Sequence, residues 1–194
     1  RLNVEFDCDD GYVEIGSNES VPAFSGWIRV GEQCRVIIGN NVSMTELCIM
    51  TVAEHSFIMI GDDVMIATAV EIRADDAHPI FDVDTGERLN MPKGVQIGNH
   101  VWLAARAVLL SGTVIGNGCV VGFGSIVKGK FPNNCIITGV PAKIVKKNIA
   151  WERPHLSIHN PGYKPNASFV KRSDYWSKTF DDSGISDSTT IEDG

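Results

Sequence analysis

A period of six residues runs through the stretch Ile97-Gly-Asn-His-Val-Trp-Leu-Ala-Ala-Arg-Ala-Val-Leu-Leu-Ser-Gly-Thr-Val-Ile-Gly-Asn-Gly-Cys-Val-Val-Gly-Phe-Gly-Ser-Ile-Val127. Its aliphatic positions are Ile97, Leu103, Leu109, Ile115, Val121 and Val127. Small or β-branched residues precede five of them by two positions: Val101, Ala107, Thr113, Cys119 and Ser125. A period of six matches neither the 3.6-residue repeat of a helix nor the two-residue alternation of a strand.

A triangular parallel β-helix explains this period, because each hexad forms one flat side and one corner and three hexads complete a coil. The aliphatic residue then points into the prism, and the small residue fits inside the corner. Glycine follows several inward residues, as at Ile38-Gly39 and Ile60-Gly61, where we expect a turn with positive φ. Short antiparallel strands are the structural alternative, but they would repeat every ~8–12 residues without a fixed phase. The sequence therefore predicts an all-β, parallel solenoid.

Three regions lack the repeat and divide the chain. Residues 1–27 are expected to cap the first coil, and residues 28–142 to form the β-helix. Within it, the polar stretch 73–94 interrupts the phase and predicts a loop extruded from the prism. Residues 143–194 are expected to begin with a short helix over 143–149 and to end in a tail that is disordered after about residue 180.

Composition and charge narrow the function classes. The 194 residues carry a net charge of -7, which argues against nucleic acid as a partner. No apolar run approaches the ~18 residues of a membrane-spanning helix, so no membrane insertion is expected. The five cysteines are scattered and form no CxxC pair, which predicts small core residues in a reducing compartment. We therefore expect a cytoplasmic protein.

Three motifs carry a family resemblance: Asp-Asp-Ala-His-Pro-Ile at 75–80, Ile-Gly-Asn-His-Val-Trp-Leu-Ala at 97–104 and Gly-Val-Pro-Ala-Lys at 139–143. With them, the chain resembles the hexapeptide-repeat O-acetyltransferases, in particular the maltose, galactoside and polysaccharide enzymes. The resemblance implies a left-handed β-helix that assembles as a homotrimer with active sites between neighbouring prisms. It also implies acetyl-CoA as the donor, a saccharide as the acceptor and no metal.

The chemistry points to one histidine. Acetyl transfer to a sugar hydroxyl requires removal of the hydroxyl proton, and an imidazole, with a pKa of about 6.5 in water, suits that task. His78 lies in the extruded loop and matches the family's catalytic histidine in a His-Pro context. Asp76 matches an acidic position of the polysaccharide-modifying members and could orient the imidazole or bind the acceptor. The alternative is a surface histidine beside an Asx-turn aspartate.

Further residues are assigned to the acceptor. Arg73 and Asp75, at the start of the loop, are expected to contact it. Trp102 is expected to point outward and to wall the acceptor or donor channel, as the resemblance implies; packing against a neighbouring subunit or against the loop is the structural alternative. His100 is expected to be an exposed corner residue rather than a catalyst.

The resemblance also implies a coenzyme A groove along the stacked coils. Its expected pantetheine contacts are Ala104, Ala105 and Phe123, where backbone amides can polarise the thioester carbonyl. Its expected phosphate contacts are the cations Lys128, Lys143 and Lys146. For these lysines, a solvated terminal face is the structural alternative.

Other functions stay open at this point. An amino-sugar N-acetyltransferase is the main alternative, because the same groove and base serve an amine. A gamma-type carbonic anhydrase would use three histidines for zinc, yet His55, His78 and His100 are far apart in sequence. A non-catalytic solenoid is the third possibility. Because no cysteine or serine is placed as a nucleophile, we expect direct transfer in a ternary complex.

Overall fold

Short strands, almost all parallel, form the structure. The computed structural model describes residues 2–19, 21, 24–153 and 173–180. The eighteen strands in this part of the chain, β1–β18 in chain order, form three six-stranded sheets, and no helix long or apolar enough to cross a membrane is found there.

The three sheets are the sides of a triangular prism. Sheet A contains β1 (Leu2–Phe6), β3 (Gly26–Val30), β6 (Cys48–Val52), β9 (Glu71–Arg73), β12 (Val108–Leu110) and β15 (Ile126–Val127). Sheet B contains β2 (Tyr12–Ile15), β4 (Arg35–Ile38), β7 (Phe57–Ile60), β10 (Val95–Ile97), β13 (Val114–Ile115) and β16 (Lys130–Phe131). Sheet C contains β5 (Ser43–Met44), β8 (Met65–Ile66), β11 (Trp102–Leu103), β14 (Val120–Val121), β17 (Ile136–Gly139) and β18 (Ala142–Lys146). Each coil runs from A to B to C, and its turns are called the A–B, B–C and C–A corners.

Rows of inward aliphatic side chains form the core. In sheet A one row follows the pairing register from coil to coil through Val4, Ile28, Met50, Ile72, Leu109 and Val127. Parallel strands lie ~4.8 Å apart, so each inward side chain packs on the equivalent side chain of the next coil. The hexad prediction is confirmed: from Val101 to Ser125 the expected inward and corner residues are all buried.

Side chains form a hydrogen-bonded ladder at the B–C corner. In each coil an Asn or Asp side-chain oxygen accepts a hydrogen bond from a backbone N–H of the preceding coil. The bonds are Ser17 N to Asn40 Oδ1 (3.0 Å), Asn40 N to Asp62 Oδ1 (2.6 Å), Asp62 N to Asn99 Oδ1 (2.8 Å), Asn99 N to Asn117 Oδ1 (2.8 Å) and Asn117 N to Asn133 Oδ1 (2.9 Å). The ladder therefore satisfies amides that the short strands leave unpaired.

The ladder explains the glycines, and it corrects the expected reason for them. Gly98 and Gly116 do not have positive φ; the left-handed residues come two positions later, as at His100 and Gly118. A Cβ on Gly98 would lie 2.5 Å from Asn117 Oδ1 and 2.8 Å from Asn117 N. Glycine is thus required because the next coil packs directly on it.

The first coil begins earlier than expected. β1 pairs with β3 and β2 pairs with β4, both in parallel register, so residues 2–15 extend sheets A and B instead of forming a separate cap. Leu2, Val4 and Val13 pack against the core from this coil. Its aliphatic–glycine pair, Ile15-Gly16, was overlooked, although Gly16 packs on Gly39 as Gly98 packs on Gly116.

The helix expected over 143–149 is wrong. The chain reverses after β17, and β18 pairs with it in antiparallel register, with Ile137 opposite Ile144. Ala142 is buried and Ile144 half-buried, whereas Lys143 and Val145 are exposed, which is the two-residue alternation of a strand. The tail after residue 180 lies outside the described residues.

The ladder gives a first prediction. Asn117→Ala removes the acceptor of the Asn99 amide, so it should lower the free energy of unfolding by about 1–2 kcal/mol. The control is Gln96→Ala, an exposed position of the same sheet system, which should change it by less than ~0.5 kcal/mol. Urea unfolding followed by circular dichroism measures both. Equal effects of the two substitutions would show that the ladder contributes nothing.

Candidate active site

The loop that carries His78 leaves the prism at the A–B corner, between the end of β9 at Arg73 and the start of β10 at Val95. It remains attached to this corner on both sides. Arg88 on the loop makes two 2.6 Å contacts with the Glu54 carboxylate in the preceding coil. Lys93 N donates to Ser111 Oγ (2.7 Å) in the following coil. The loop therefore spans three levels of one corner.

Asn90 fixes the part of the loop around His78. Its Nδ2 donates to the Asp76 carboxylate (3.1 Å) and to the His78 carbonyl (2.9 Å), and its Oδ1 accepts from Ile80 N (2.7 Å). A tight bond from His78 N to Asp76 O (2.7 Å) completes the turn. One amide side chain thus sets the backbone on both sides of the imidazole.

Asp76 does not orient the His78 ring. Its carboxylate accepts from Asn90, and the exposed His78 imidazole has no hydrogen-bond partner in the part of the chain that the structure describes. Asn90 and the Arg88–Glu54 pair were not found from the sequence, because no local spacing links residues that lie 14 to 34 positions apart. The Arg88 guanidinium also lowers the pKa of the Glu54 carboxyl, which favours the pair.

Arg73 and Asp75 lie at the root of the loop. Both line a cavity of about 150 Å³ on the outer side of sheet A. The other polar groups of this cavity, Asp7, Arg29 and Thr51, come from the preceding coils. These three residues were missed in the sequence analysis because the coils before the loop are 22 residues long. The hexads after the loop do not show that spacing.

Trp102 points outward from sheet C, as expected. Its neighbours in register are Met65 and Val120, and 36% of it is exposed. One side faces Trp151 of the C-terminal segment, with the ring centroids 6.0 Å apart and tilted by 46°. From the sequence, the loop and a neighbouring subunit were the packing partners considered for Trp102, and the contact with Trp151 was not foreseen. Because sheet C is opposite the A–B corner, Trp102 and the loop are on opposite sides of one prism.

The residues expected along the pantetheine arm lie on the C–A corner. Ala104 N donates to Val121 O (2.9 Å), so that amide is not available to a ligand. The amides of Ala105 and Phe123, in the middle of successive corners, have no hydrogen-bond acceptor among the described residues. Phe123 is 66% exposed, and the Arg106 guanidinium lies 5.7 Å from its ring centroid. This corner presents small residues, free N–H donors and one cation that the sequence analysis missed.

The three candidate lysines do not lie together. Lys143 and Lys146 are exposed on β18, at the end of sheet C and directly beyond the turn that continues the C–A corner. Lys128 follows β15 and lies on the A–B corner, across sheet A from Phe123. Lys143 lies opposite Thr138, next to the end of β17 at the Ala105–Phe123 corner, whereas Lys146 lies opposite Ile136 at the start of that strand, across sheet C from the corner.

His100 is buried, so the expectation of an exposed corner residue is wrong. Its ring lies between Trp151 and Tyr175, with centroid distances of 4.2 and 4.9 Å. Nδ1 is 2.5 Å from Asp63 Oδ2, and Nε2 is 3.0 Å from the Trp151 carbonyl oxygen. Only the imidazolium can donate from both nitrogens. Burial opposes that charge, but the Asp63 and Trp151 acceptors outweigh it and raise the pKa of His100.

Residues 149–153 form a strap over the B–C corner, which explains the burial of His100. Trp151 Nε1 donates to the His100 carbonyl (2.9 Å), and Arg153 donates from Nε (2.9 Å) and Nη2 (2.7 Å) to Asp63 Oδ1. Burial alone would raise the pKa of Asp63, but hydrogen bonds from His100 and Arg153 lower it. The course of the strap could not be predicted, because residues 149–153 follow no repeat.

Four of the five cysteines are buried in the core and are therefore poor covalent nucleophiles. Cys34, Cys48, Cys119 and Cys135 are buried, as expected of core residues, whereas Cys8 is exposed. Burial raises the pKa of the Cys48 and Cys119 thiols to about 12, so their reactive thiolate forms are negligible near neutral pH. In the described ranges, no group of three His, Cys, Asp or Glu side chains is placed to hold a metal ion.

Comparisons with known proteins agree with this architecture. The family model of bacterial transferase hexapeptide (six repeats) matches residues 94–129. The chain is 36% identical over 159 residues to the putative lipopolysaccharide biosynthesis O-acetyl transferase WbbJ of Escherichia coli K12, covering 74% of this chain and 78% of WbbJ. The chain belongs to the hexapeptide-repeat O-acetyltransferase family. The resemblance inferred from the three motifs is thereby confirmed, and with it the left-handed β-helix.

Two further relatives of this O-acetyltransferase family member modify polysialic acid. The polysialic acid O-acetyltransferase of Escherichia coli O1:K1 / APEC is 38% identical over 142 residues, which cover 73% of this chain and 45% of that enzyme. The crystal structure of the polySia-specific acetyltransferase NeuO superposes with a TM-score of 0.74 at 35% identity, over 79% of this chain and 64% of NeuO. The chain thus spans about half the length of the first curated relative.

The charged contact beneath the strap gives a pH-dependent prediction. Because the folded-state pKa of His100 is raised, its stabilisation is complete below the unfolded value of about 6.5 and is lost as the pH rises through the folded value. The stabilisation that Asp63 contributes, through its lowered pKa, is present above a pH of about 3.9, the unfolded pKa. It is lost as the pH falls through the folded pKa of Asp63. Wild type should therefore lose stability above about pH 6.5, and His100→Gln should lose less.

Thermal midpoints from pH 5 to 9, with hydrogen exchange of residues 149–153, measure this difference. His55 and His78 are present in both proteins and serve as the internal control. Parallel pH profiles for wild type and His100→Gln would contradict a charged His100.

Proposed function

We propose that this chain is an acetyl-CoA-dependent O-acetyltransferase that acetylates a saccharide hydroxyl, with His78 as the general base. Family membership and relatives named for O-acetylation of saccharides support the reaction class. The observation that carries the assignment of the base is the geometry of the loop: Asn90 fixes the turn around His78, and the imidazole is left exposed. A ring held at its backbone but free at both nitrogens can accept a proton from a substrate.

The reaction balances with one base and no covalent enzyme intermediate. His78 removes the proton of the acceptor hydroxyl as its oxygen attacks the thioester carbonyl. The tetrahedral adduct then collapses, the C–S bond breaks, and the imidazolium returns the proton to the departing sulfur. The products are a sugar acetate and free coenzyme A. Direct transfer agrees with the high pKa of the buried thiols Cys48 and Cys119.

The C–A corner is the proposed donor groove. The small side chains of Ala104 and Ala105 leave room for a pantetheine arm, and the free Ala105 amide is placed to polarise a thioester carbonyl. Exposed Phe123 supplies an apolar wall. Lys143 lies at the end of the same corner and, with Lys146 farther along β18, can meet the phosphates, as point charges do. Acetyl-CoA as the donor is consistent with a cytoplasmic location, which stays a prediction.

The proposed site needs two chains. His78 lies at the A–B corner, Trp102 on the opposite sheet C, and Phe123 on the C–A corner. No single prism brings them together, whereas parallel prisms side by side can place the loop of one against the corner of the next. We therefore propose a homotrimer, since cyclic symmetry closes such a heterologous contact and repeats the site at each interface.

The alternative functions differ from the proposed one in the acceptor, in a metal site or in having no catalytic role. An amino-sugar N-acetyltransferase would use the same groove and base, and the product distinguishes it. A three-histidine zinc site is disfavoured because both His100 nitrogens already contact Asp63 and Trp151, and His55 Nδ1 contacts Gln33 Oε1 (3.1 Å). A purely structural solenoid would not need the specific fixation of the loop by Asn90.

The proposal predicts release of free thiol when acetyl-CoA is mixed with a suitable saccharide, together with an acetyl group that mild alkali removes from the product. His78→Ala should reduce kcat about 10²- to 10⁴-fold, because a general base contributes that much. Thermal midpoint and acetyl-CoA binding should hardly change, since the side chain is exposed and is not one of the proposed donor contacts.

His55→Ala is the matched control, because His55 is also exposed and lies on the same corner. Turnover of His78→Ala within threefold of this control would remove His78 from the mechanism. An alkali-stable acetyl group would instead identify an N-acetyltransferase.

A further inference from the structure

A row of polar side chains on sheet A leads to the loop that carries His78. The pairing register aligns Arg29 with Thr51 and Thr51 with Arg73, one residue from each of three consecutive coils. Rungs of a parallel sheet are ~4.8 Å apart, so the two arginine backbones are separated by roughly 10 Å with the threonine between them. All three line the 150 Å³ cavity whose far side is formed by Asp75 and Ala77 of the loop.

The arginines are held, yet most of their donors are free. Arg29 Nε contacts Asp7 Oδ2 (2.5 Å), and Arg73 Nε contacts Glu71 Oε2 (2.7 Å). Each bond uses only Nε, and within the described ranges the terminal nitrogens of both arginines have no acceptor. A guanidinium fixed at one edge presents two parallel N–H groups at the other, which is a preorganised binding surface.

The cavity also contains a hydroxyl group and a carboxylate oxygen that make no hydrogen bond with the described residues. Thr51 is 8% exposed, and its Oγ1 is buried without a hydrogen-bond partner among the residues described. A buried hydroxyl without a partner is costly, so this group is suited to a hydrogen bond with a ligand or with solvent. Asp75 uses Oδ1 to accept from Ala77 N (3.0 Å), and its second oxygen has no partner in the same residues.

The charges decide what class of ligand fits. The two guanidinium groups of the lining, Arg29 and Arg73, are balanced by the two carboxylates Asp7 and Asp75, and Glu71 contacts Arg73 from beside the cavity. The charge of the arginines is thus already neutralised, so an acidic sugar would bring a further negative charge next to the unpaired oxygen of Asp75, and like charges in a partly enclosed site repel. A neutral sugar unit carries adjacent hydroxyls that both donate and accept, and therefore matches free N–H donors beside a free carboxylate oxygen.

Building on the proposed function, we propose that this cavity is an acceptor subsite that binds a neutral, polyhydroxylated sugar unit. Arg29 and Arg73 donate to its hydroxyls, and Asp75 accepts from them. Since Asp75 is three residues from His78, the subsite would hold the acceptor chain next to the base. The inference separates this chain from the relatives named for polysialic acid, whose units carry carboxylates.

Binding of two matched probes, oligomers of galactose and of galacturonic acid, tests the proposal. They differ at C6, where one has a hydroxymethyl group and the other a carboxylate. Saturation-transfer NMR titrations without acetyl-CoA should show that the galactose oligomer binds about 10-fold more tightly or better. Arg29→Gln should weaken its binding about 10-fold, the effect of losing a charged donor.

Controls keep the test specific. Arg35→Gln removes the same charge from an exposed position on sheet B and should leave binding unchanged. Asp75→Asn removes one negative charge from the lining and should narrow the difference in affinity between the two probes. Thermal midpoints and acetyl-CoA affinity verify that each variant is folded.

Equal or tighter binding of the acidic oligomer would overturn the proposal. Equal effects of Arg29→Gln and Arg35→Gln, or no binding of either probe, would also overturn it. Because the titrations need no donor, they are independent of acetyl transfer. Neutral-sugar binding without any transfer would count against the proposed function and not against the subsite, whereas transfer unaffected by Arg29→Gln would count against the subsite alone.

Discussion

Direct stacking of one coil on the next is the constraint on which the structure depends. At the B–C corner the backbones approach so closely that only glycine fits at positions such as Gly98 and Gly116. The same closeness lets an Asn or Asp side chain reach an amide of the neighbouring coil, so steric demand and hydrogen bonding select consecutive residues in the sequence. The inward aliphatic rows then stay in register, and the outward positions become fixed points for function.

This constraint explains how much of the fold could be predicted. The hexads from Ile97 to Val127 specify inward and corner positions directly, since each coil repeats the environment of the previous one. The first coil and β18 were missed because their partners lie on one side only, so the repeat is relaxed there. The strap was beyond prediction for another reason: its position depends on single contacts, such as that of Arg153 with Asp63, which leave no period in the sequence.

The residues of the candidate site likewise divide into those that could be predicted and those that could not. His78 could be named from its motif and from the chemistry of hydroxyl activation, and the outward direction of Trp102 followed from its hexad position. The residues that hold or complete the site could not be named: Asn90 acts through a contact across the loop, and Arg29 and Thr51 join Arg73 only when three coils are stacked. Long-range contacts of this kind become visible only after the register is known.

The architecture also explains why the proposed site needs more than one prism. A triangular solenoid displays the loop, sheet C and the C–A corner on different sides, so a reaction that uses His78 with Trp102 and Phe123 must take place between prisms. The strap contributes from outside the repeat: Trp151 covers one side of Trp102 and leaves the other exposed for a ligand or a partner subunit. Buried His100, in contact with Asp63 and Trp151, anchors that arrangement.

Subunit complementation tests most directly whether each site is shared between two chains. His78→Ala and Trp102→Ala chains, each impaired alone, should regain activity when equimolar amounts are unfolded and refolded together. If each site takes its base from one chain and its tryptophan from another, random trimers should recover about one quarter of the wild-type turnover. Activity no higher than that of the separate variants would contradict a site shared between chains.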